Sequence, residues 1–236
     1  MLATTCRARV AGLSSDARRR SIGSVGRSKV KNVLLRLSGS LVAVVGLWIL
    51  VWLPLVLVES SAAEPTEHAL GDPNAPVTMI EYASLTCPHC ATFHEEVLPG
   101  LKERYIATGK VRLIYRDFPL DERALAAAQL AHCAGADRYF GFLDVLYQTQ
   151  SNWARAEDYR GALKRLGKLG GLSEEQMETC FADEELANQI LQTRLDAQNQ
   201  HDITSTPSFV IDGKTYSGAH DVDGFGEIID PLLEGS

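Results

Sequence analysis

The sequence predicts an α/β framework interrupted by an all-helical insertion, and three observations carry that expectation. Val77-Thr78-Met79-Ile80-Glu81-Tyr82-Ala83 and Val111-Arg112-Leu113-Ile114-Tyr115-Arg116-Asp117-Phe118 are short β-rich apolar runs, with one helical pattern between them. From Asp121 to about His201 every periodic stretch is helical. A hairpin and a helix then close the chain, so strands lie on both sides of a block of helices.

Taken in order, the first 36 residues hold nine Lys or Arg against one acid, Asp16, and Leu41 to Val58 carries no charge. Basic, then apolar, then small residues at Ser61-Ala62-Ala63 is the order of an export signal, with a cleavage point after Ala63. The uncharged run also reaches the lower length limit of a spanning helix, so residues 1–63 are a signal peptide or a signal anchor. Either way the positive flank stays inside and the remainder is exported, which places it in the periplasm. Arg19-Arg20 stands far from the apolar run and reads as ordinary basic sequence, and Cys6 carries no argument for a role.

Residues 64–75, with Pro65, Asp72, Pro73 and Asn74, read as a linker. Residues 76–120 follow as the first part of the framework: a strand over Val77 to Ala83, a helix from Pro88 to about Thr108 closed by Gly109, and a strand from Val111 ended by Pro119. Strand, helix and strand within about 40 residues form a βαβ unit with parallel strands. Residues 121–201 are the insertion. Asp121 caps a helix with Leu125, Ala128, Gln129 and His132 in phase, and Asp137 opens one burying Phe140, Leu143, Val145 and Leu146. A third runs from about Arg155 to Leu169 and stops at Gly170-Gly171; Ser173-Glu174-Glu175-Gln176 is a capping box, and Asp183 to about Asn199 is the last. Residues 202–236 complete the framework, with strands at Ser208 to Ile211 and Lys214 to Ser217 around an Asp212-Gly213 turn and a helix from Asp221 to Leu233.

Charge narrows the function classes. From Glu64 onward 14 Lys and Arg face 28 Asp and Glu, a net of −14 against −7 for the whole chain. A surface this acidic disfavours nucleic acid as a partner and suits a soluble exported domain. The 173 residues after Ala63 suffice for one domain with a proper core. No cofactor signature is present.

Cys87-Pro88-His89-Cys90 is where the chemistry concentrates, at the junction of the first strand and its helix. Cys87 at the helix N-terminus faces unpaired N–H groups and the positive end of the helix dipole, which lower its pKa. Pro88 suits the first helical position, and His89 adds a donor and, when protonated, a charge beside the sulfur. Cys90, one turn inside, is the buried partner that closes on Cys87. A low-pKa thiol is a good leaving group, so such a pair oxidises other thiols. A rival is a metal site of Cys87, Cys90 and His94, but no fourth ligand appears at a usable spacing, and no metal is expected. Cys133 and Cys180, on apolar helical faces, form either a structural disulfide or two buried thiols. Pro207 reads from base rates as a trans residue at a strand start.

Together these residues resemble the DsbA-type thiol:disulfide oxidoreductases of the thioredoxin superfamily. Cys87-Pro88-His89-Cys90, Gly109-Lys110-Val111-Arg112-Leu113 leading to Arg116-Asp117-Phe118-Pro119, the helical insertion, and Thr204-Ser205-Thr206-Pro207-Ser208-Phe209 carry the likeness from about Pro76 to Leu233. The resemblance implies a thioredoxin-like fold, a cis Pro207 beside the cysteines, and backbone hydrogen bonds from Thr206 to an extended substrate chain. It also implies that Glu81, six residues before Cys87, lies beneath the pair and relays a proton to Cys90, against the rival of a partly buried strand-edge Glu. Two features depart from the best-known members: Thr206 stands where the strong oxidases have Val, and enterobacterial members lack the Cys133 and Cys180 pair.

The expected function is a monomeric periplasmic oxidase that passes its disulfide to reduced exported proteins and is reoxidised by a DsbB-type membrane partner. An isomerase or reductase of the same fold is the close alternative. It is disfavoured because Glu64 to Ala75 is too short to build the separate dimerisation module that family isomerases carry. A non-enzymatic chaperone using the groove around Pro207 is the alternative of a different class.

Overall fold

The computed structural model describes residues 67–235, arranged as a five-stranded mixed sheet with helices on its faces and a helical insertion at one end. Strands β1 (His68–Leu70), β2 (Val77–Ala83), β3 (Val111–Asp117), β4 (Ser208–Ile211) and β5 (Lys214–Ser217) lie in the order β1-β3-β2-β4-β5. β2 and β3 are parallel in register from Val77 opposite Val111 to Ala83 opposite Asp117, as a βαβ unit requires. The other pairings are antiparallel. Asp212 and Gly213, at φ 48° and 72°, make the β4–β5 turn, the left-handed pair that a two-residue hairpin demands.

The first helix, α1, is four consecutive segments: α-helical Pro88–Thr92, a π segment Phe93–Val97, α-helical Leu98–Leu101 and a second π segment Lys102–Ile106. Pro99 lies inside it and has no N–H to return to the preceding turn, and the wider π turns accommodate that loss. Phe93, Leu98, Leu101 and Tyr105 face the sheet and pack with Val77, Met79, Phe209, Phe225 and Ile229. Phe225 and Ile229 come from the closing helix α8 (Val222–Glu234), capped by Asp221.

The insertion comprises α2 (Glu122–Cys133), α3 (Ala136–Gln148), α4 (Gln150–Trp153), α5 (Tyr159–Leu169), α6 (Glu174–Phe181) and α7 (Glu184–His201). Asp121, Asp158, Ser173 and Asp183 each accept the N–H three residues on, and Ser173 with Gln176 completes the capping box. Leu130, Tyr139, Leu143, Leu146 and Trp153 are fully buried, and the cluster they form also takes in Cys87, Cys90 and Ala91. The cysteine pair therefore lies on the seam between framework and insertion. Cys133 and Cys180 are joined as a disulfide linking α2 to α6.

Several expectations are corrected. The stretch read as a linker contributes β1, in which His68 pairs with Tyr115 and Leu70 with Leu113; three residues are too few to show a period, and the open edge of β3 selects them. Thr206–Pro207 is cis, overturning the base-rate reading of Pro207 and agreeing with the resemblance. The helix placed from Arg155 starts at Tyr159, because Asp158 supplies the cap, and Gln150–Trp153 forms an unforeseen short helix. Gly135, at φ 85°, rather than Asp137, precedes α3. Residues 1–63, with the predicted signal or anchor, lie outside the described residues. Among those described, no helix is long and apolar enough to cross a membrane.

Candidate active site

β2 delivers the chain to a tight loop, Ser84 to Thr86, and α1 begins at once. The Cys87 N–H donates to the Ser84 carbonyl at 3.0 Å, and Cys87 takes the N-cap position at φ −81°, ψ 119° with Pro88 as the first helical residue. The loop is also held from the insertion. Buried Gln150 donates through Nε2 to the carbonyls of Leu85 at 2.8 Å and Cys87 at 3.0 Å. Thr86 Oγ1 donates to Asp121 Oδ2 at 2.8 Å, while Oδ1 of the same carboxylate caps α2. The Leu85 carbonyl is thereby satisfied, the Cys87 carbonyl gains a second donor beside the Ala91 N–H, and the loop is tied to two helices.

The two sulfurs differ sharply. Cys87 is 6% exposed and Cys90 fully buried. The Cys87 pKa falls from its ordinary value near 9 to about 5. The largest cause is the hydrogen bond from the Cys90 thiol; burial opposes it, and Thr206 and the backbone N–H groups of Cys90 and His89 add to it. As a thiol, Cys87 Sγ donates to the Thr206 carbonyl at 3.3 Å. Thr206 Oγ1 is buried without a protein partner, and a Cys87 thiolate gives it an acceptor. Burial pushes Cys90 well above 9, reinforced by the hydrogen bond it gives Cys87 and by the charges of Cys87 and Glu81. The proton is thus held on Cys90 and the negative charge on Cys87.

The structure brings together Cys87, Cys90, Thr206 and Pro207, with β4 running on from Pro207 beside β2. His89 is exposed, and it lowers the Cys87 pKa through its backbone N–H. Glu81 is no strand-edge residue. It lies in the middle of the sheet at 0% exposure, opposite Tyr115 on β3 and Phe209 on β4. Its carboxyl oxygens lie within hydrogen-bond distance, 3.0 and 3.2 Å, of one atom, His94 Nε2. His94 is therefore engaged by Glu81 rather than joined to the cysteines. Among the described residues no group of three or more His, Cys, Asp or Glu is placed to hold a metal ion.

Sequence reasoning missed two residues. Gln150 carries no pattern because its partners lie more than 60 residues away. The partnership of His94 with Glu81 had a weak signal, the spacing of four from Cys90 that puts both on one helical face.

Comparison with known proteins follows this geometry. A thioredoxin family model matches residues 63–231. The structure is similar to Wolbachia pipientis α-DsbA1, at 37% identity and TM-score 0.67 over 73% of this chain and 93% of that one. It is also similar to a protein-disulfide isomerase of Novosphingobium aromaticivorans, at 26% identity and TM-score 0.62 over 70% and 97% of the two chains. A Rickettsia felis protein, provisionally named a protein-disulfide oxidoreductase, is 31% identical over 172 residues, 72% of this chain. The matched region spans 62% of that relative's length.

Proposed function

The chain belongs to the DsbA-type thiol:disulfide oxidoreductases of the thioredoxin superfamily, and from that premise we propose that it is an exported protein-disulfide oxidase. One observation carries the reading: Cys87 caps the start of α1 beside Thr206 with Cys90 fully buried behind it, an arrangement that lowers the Cys87 pKa to about 5 and raises that of Cys90. At pH 7 a pKa of 5 rather than 9 favours the reduced pair about a hundredfold, or about 60 mV toward oxidising power.

In the forward direction a substrate thiolate attacks Cys87 Sγ. The Cys87–Cys90 bond breaks with its electron pair on Cys90, which takes up a proton, with Glu81 as the relay. A second substrate thiolate then displaces Cys87, which leaves as the stabilised anion, and the substrate carries the new disulfide. Two electrons now reside on the reduced pair, and a DsbB-type membrane partner removes them. The Thr206 backbone, beside Pro207, positions the extended substrate next to Cys87. The basic and apolar leader delivers the domain to the periplasm, where residues 76–120 and 202–236 act as the redox framework, residues 121–201 cover the cysteines, and the protein works as a monomer on reduced exported chains.

The test is oxidation of a reduced dithiol peptide by the oxidised protein. Cys87→Ser abolishes it while leaving thermal unfolding close to wild type. Peptide oxidation that survives Cys87→Ser, or a glutathione equilibrium as reducing as that of a thioredoxin, defeats the oxidase reading.

A further inference from the structure

Glu81 and His94 form a closed pair. Glu81 has 0% side-chain exposure and His94 2%. The imidazole stacks on Tyr147 of α3 at 4.2 Å and meets Phe93 and Tyr115 edge-on at 5.6 and 5.8 Å. One nitrogen, Nε2, is committed to Glu81; the other, Nδ1, is buried with no hydrogen-bond partner. If neutral His94 donates from Nε2 to ionised Glu81, the pair leaves a net negative charge in the core. A further proton cancels that charge but puts an N–H on Nδ1 with nothing to accept it. Each of these states leaves one buried group uncompensated.

The other ionisable groups around the pair are Cys90 from α1, with the capping Cys87 acting on it, Tyr115 and Asp117 from β3, and Tyr147 and Tyr139 from α3. Burial holds all three tyrosines well above their ordinary value, so they stay neutral. Asp117 is engaged by His132 and Tyr139. The neighbours that change charge during exchange are therefore the two cysteines, and the charge on Glu81 already acts on Cys90.

Resting on the oxidase reading, we propose that His94 is a positioning residue acting through Glu81. The pair takes the proton Cys90 sheds when it attacks a mixed disulfide at Cys87, and returns it when Cys90 is expelled. In the first direction the Cys90 proton passes to the pair and the Cys90 sulfur bonds to Cys87. The departing thiol leaves with the electron pair and takes its proton from water; the second direction is the reverse. His94 gives the proton a site on its imidazole beside Glu81, so that its charge is cancelled within the pair.

The experiment reads the Cys90 step alone. The reduced full chain is mixed with oxidised glutathione, and release of glutathione from the Cys87 mixed disulfide is followed between about pH 5 and 9. Alkylation of Cys87 is measured in parallel. His94→Gln keeps a donor for Glu81 but cannot take a proton. We expect it to slow release about tenfold at neutral pH and move the inflection upward, with Cys87 alkylation within twofold of wild type. In a Glu81→Gln background the same change adds nothing. An unaltered pH profile, or equal slowing in both backgrounds, overturns the proposal. As a second measurement on unmutated protein, His94 imidazole nitrogen shifts at constant pH differ between the oxidised protein and the Cys87 mixed disulfide; identical shifts overturn it. Absence of any mixed disulfide in wild type defeats the exchange reading instead.

Discussion

Replacing Cys90 by alanine tests the origin of the Cys87 thiolate. Moving a buried thiol from near 9 to about 5 corresponds to about 5 kcal/mol of preference for the anion. The leading contribution is the hydrogen bond from the Cys90 thiol, and a hydrogen bond to a charged acceptor contributes about 1.5–3 kcal/mol, worth one to two pH units. Cys87 in Cys90→Ala therefore titrates at about 6 to 7. The rest of its depression remains, because the Thr206 hydroxyl and the N–H groups at the start of α1 are untouched. Cys90→Ser retains a donor and holds Cys87 close to the wild-type value. The assay is thiolate absorbance against pH in the reduced protein, with alkylation rate as an independent readout. A wild-type Cys87 titrating near 9 refutes the whole electrostatic account. A Cys90→Ala thiol that stays near 5 refutes the assignment to Cys90 and returns the effect to the helix N-terminus.

Three further outcomes follow from the same geometry. Gln150→Leu strands the Leu85 carbonyl, while the Cys87 carbonyl keeps the Ala91 N–H, so it lowers stability in denaturant unfolding by about 1–3 kcal/mol and loosens the loop enough to raise the Cys87 pKa. Replacing Cys133 and Cys180 together by alanine frees a loop of 47-residue separation and costs about 4 kcal/mol by chain entropy, with Cys87 titrating as before; an unchanged melting temperature contradicts it. His68, stacked on Tyr139 and bonded to His132, is lowered from 6.5 to about 4, chiefly by burial. The folded state holds this imidazole neutral and the unfolded chain protonates it below about 6.5. Its contribution is therefore full above pH 6.5 and lost as pH falls toward 4, by up to about 3 kcal/mol, and His68→Gln flattens that slope in denaturant titrations.

What the sequence made legible was local. Asp121, Ser173, Asp183 and Asp221 announce helix starts because a cap bonds a backbone N–H only three residues on, and Asp212-Gly213 announces its turn for the same reason. The cysteine pair was legible because strand, turn and helix are contiguous around it. The dominant cause of the low Cys87 pKa was misplaced, however. The helix N-terminus is visible in the chain order, but the burial of Cys90 in a cluster that the insertion completes is not. β1, Gln150 and the His94 pairing were illegible for a related reason. Each is defined by a partner between 13 and 65 residues away, and no period or propensity records such a meeting.

That division bears on how the site works. The charge-bearing sulfur is presented by local rules, which any strand-to-helix junction of this kind satisfies. The proton-bearing side, comprising Cys90, Glu81, His94 and Tyr147, is assembled only when β2, α1 and α3 pack together. A partly folded chain with the junction formed but the insertion undocked has Cys90 exposed and its raised pKa relaxed, so it loses the asymmetry between the thiols. Full polarisation of the pair is then a property of the finished fold. In denaturant the Cys87 thiolate signal and the burial of Trp153 are lost in one transition; a thiolate that outlasts the tryptophan signal shows that the junction suffices alone.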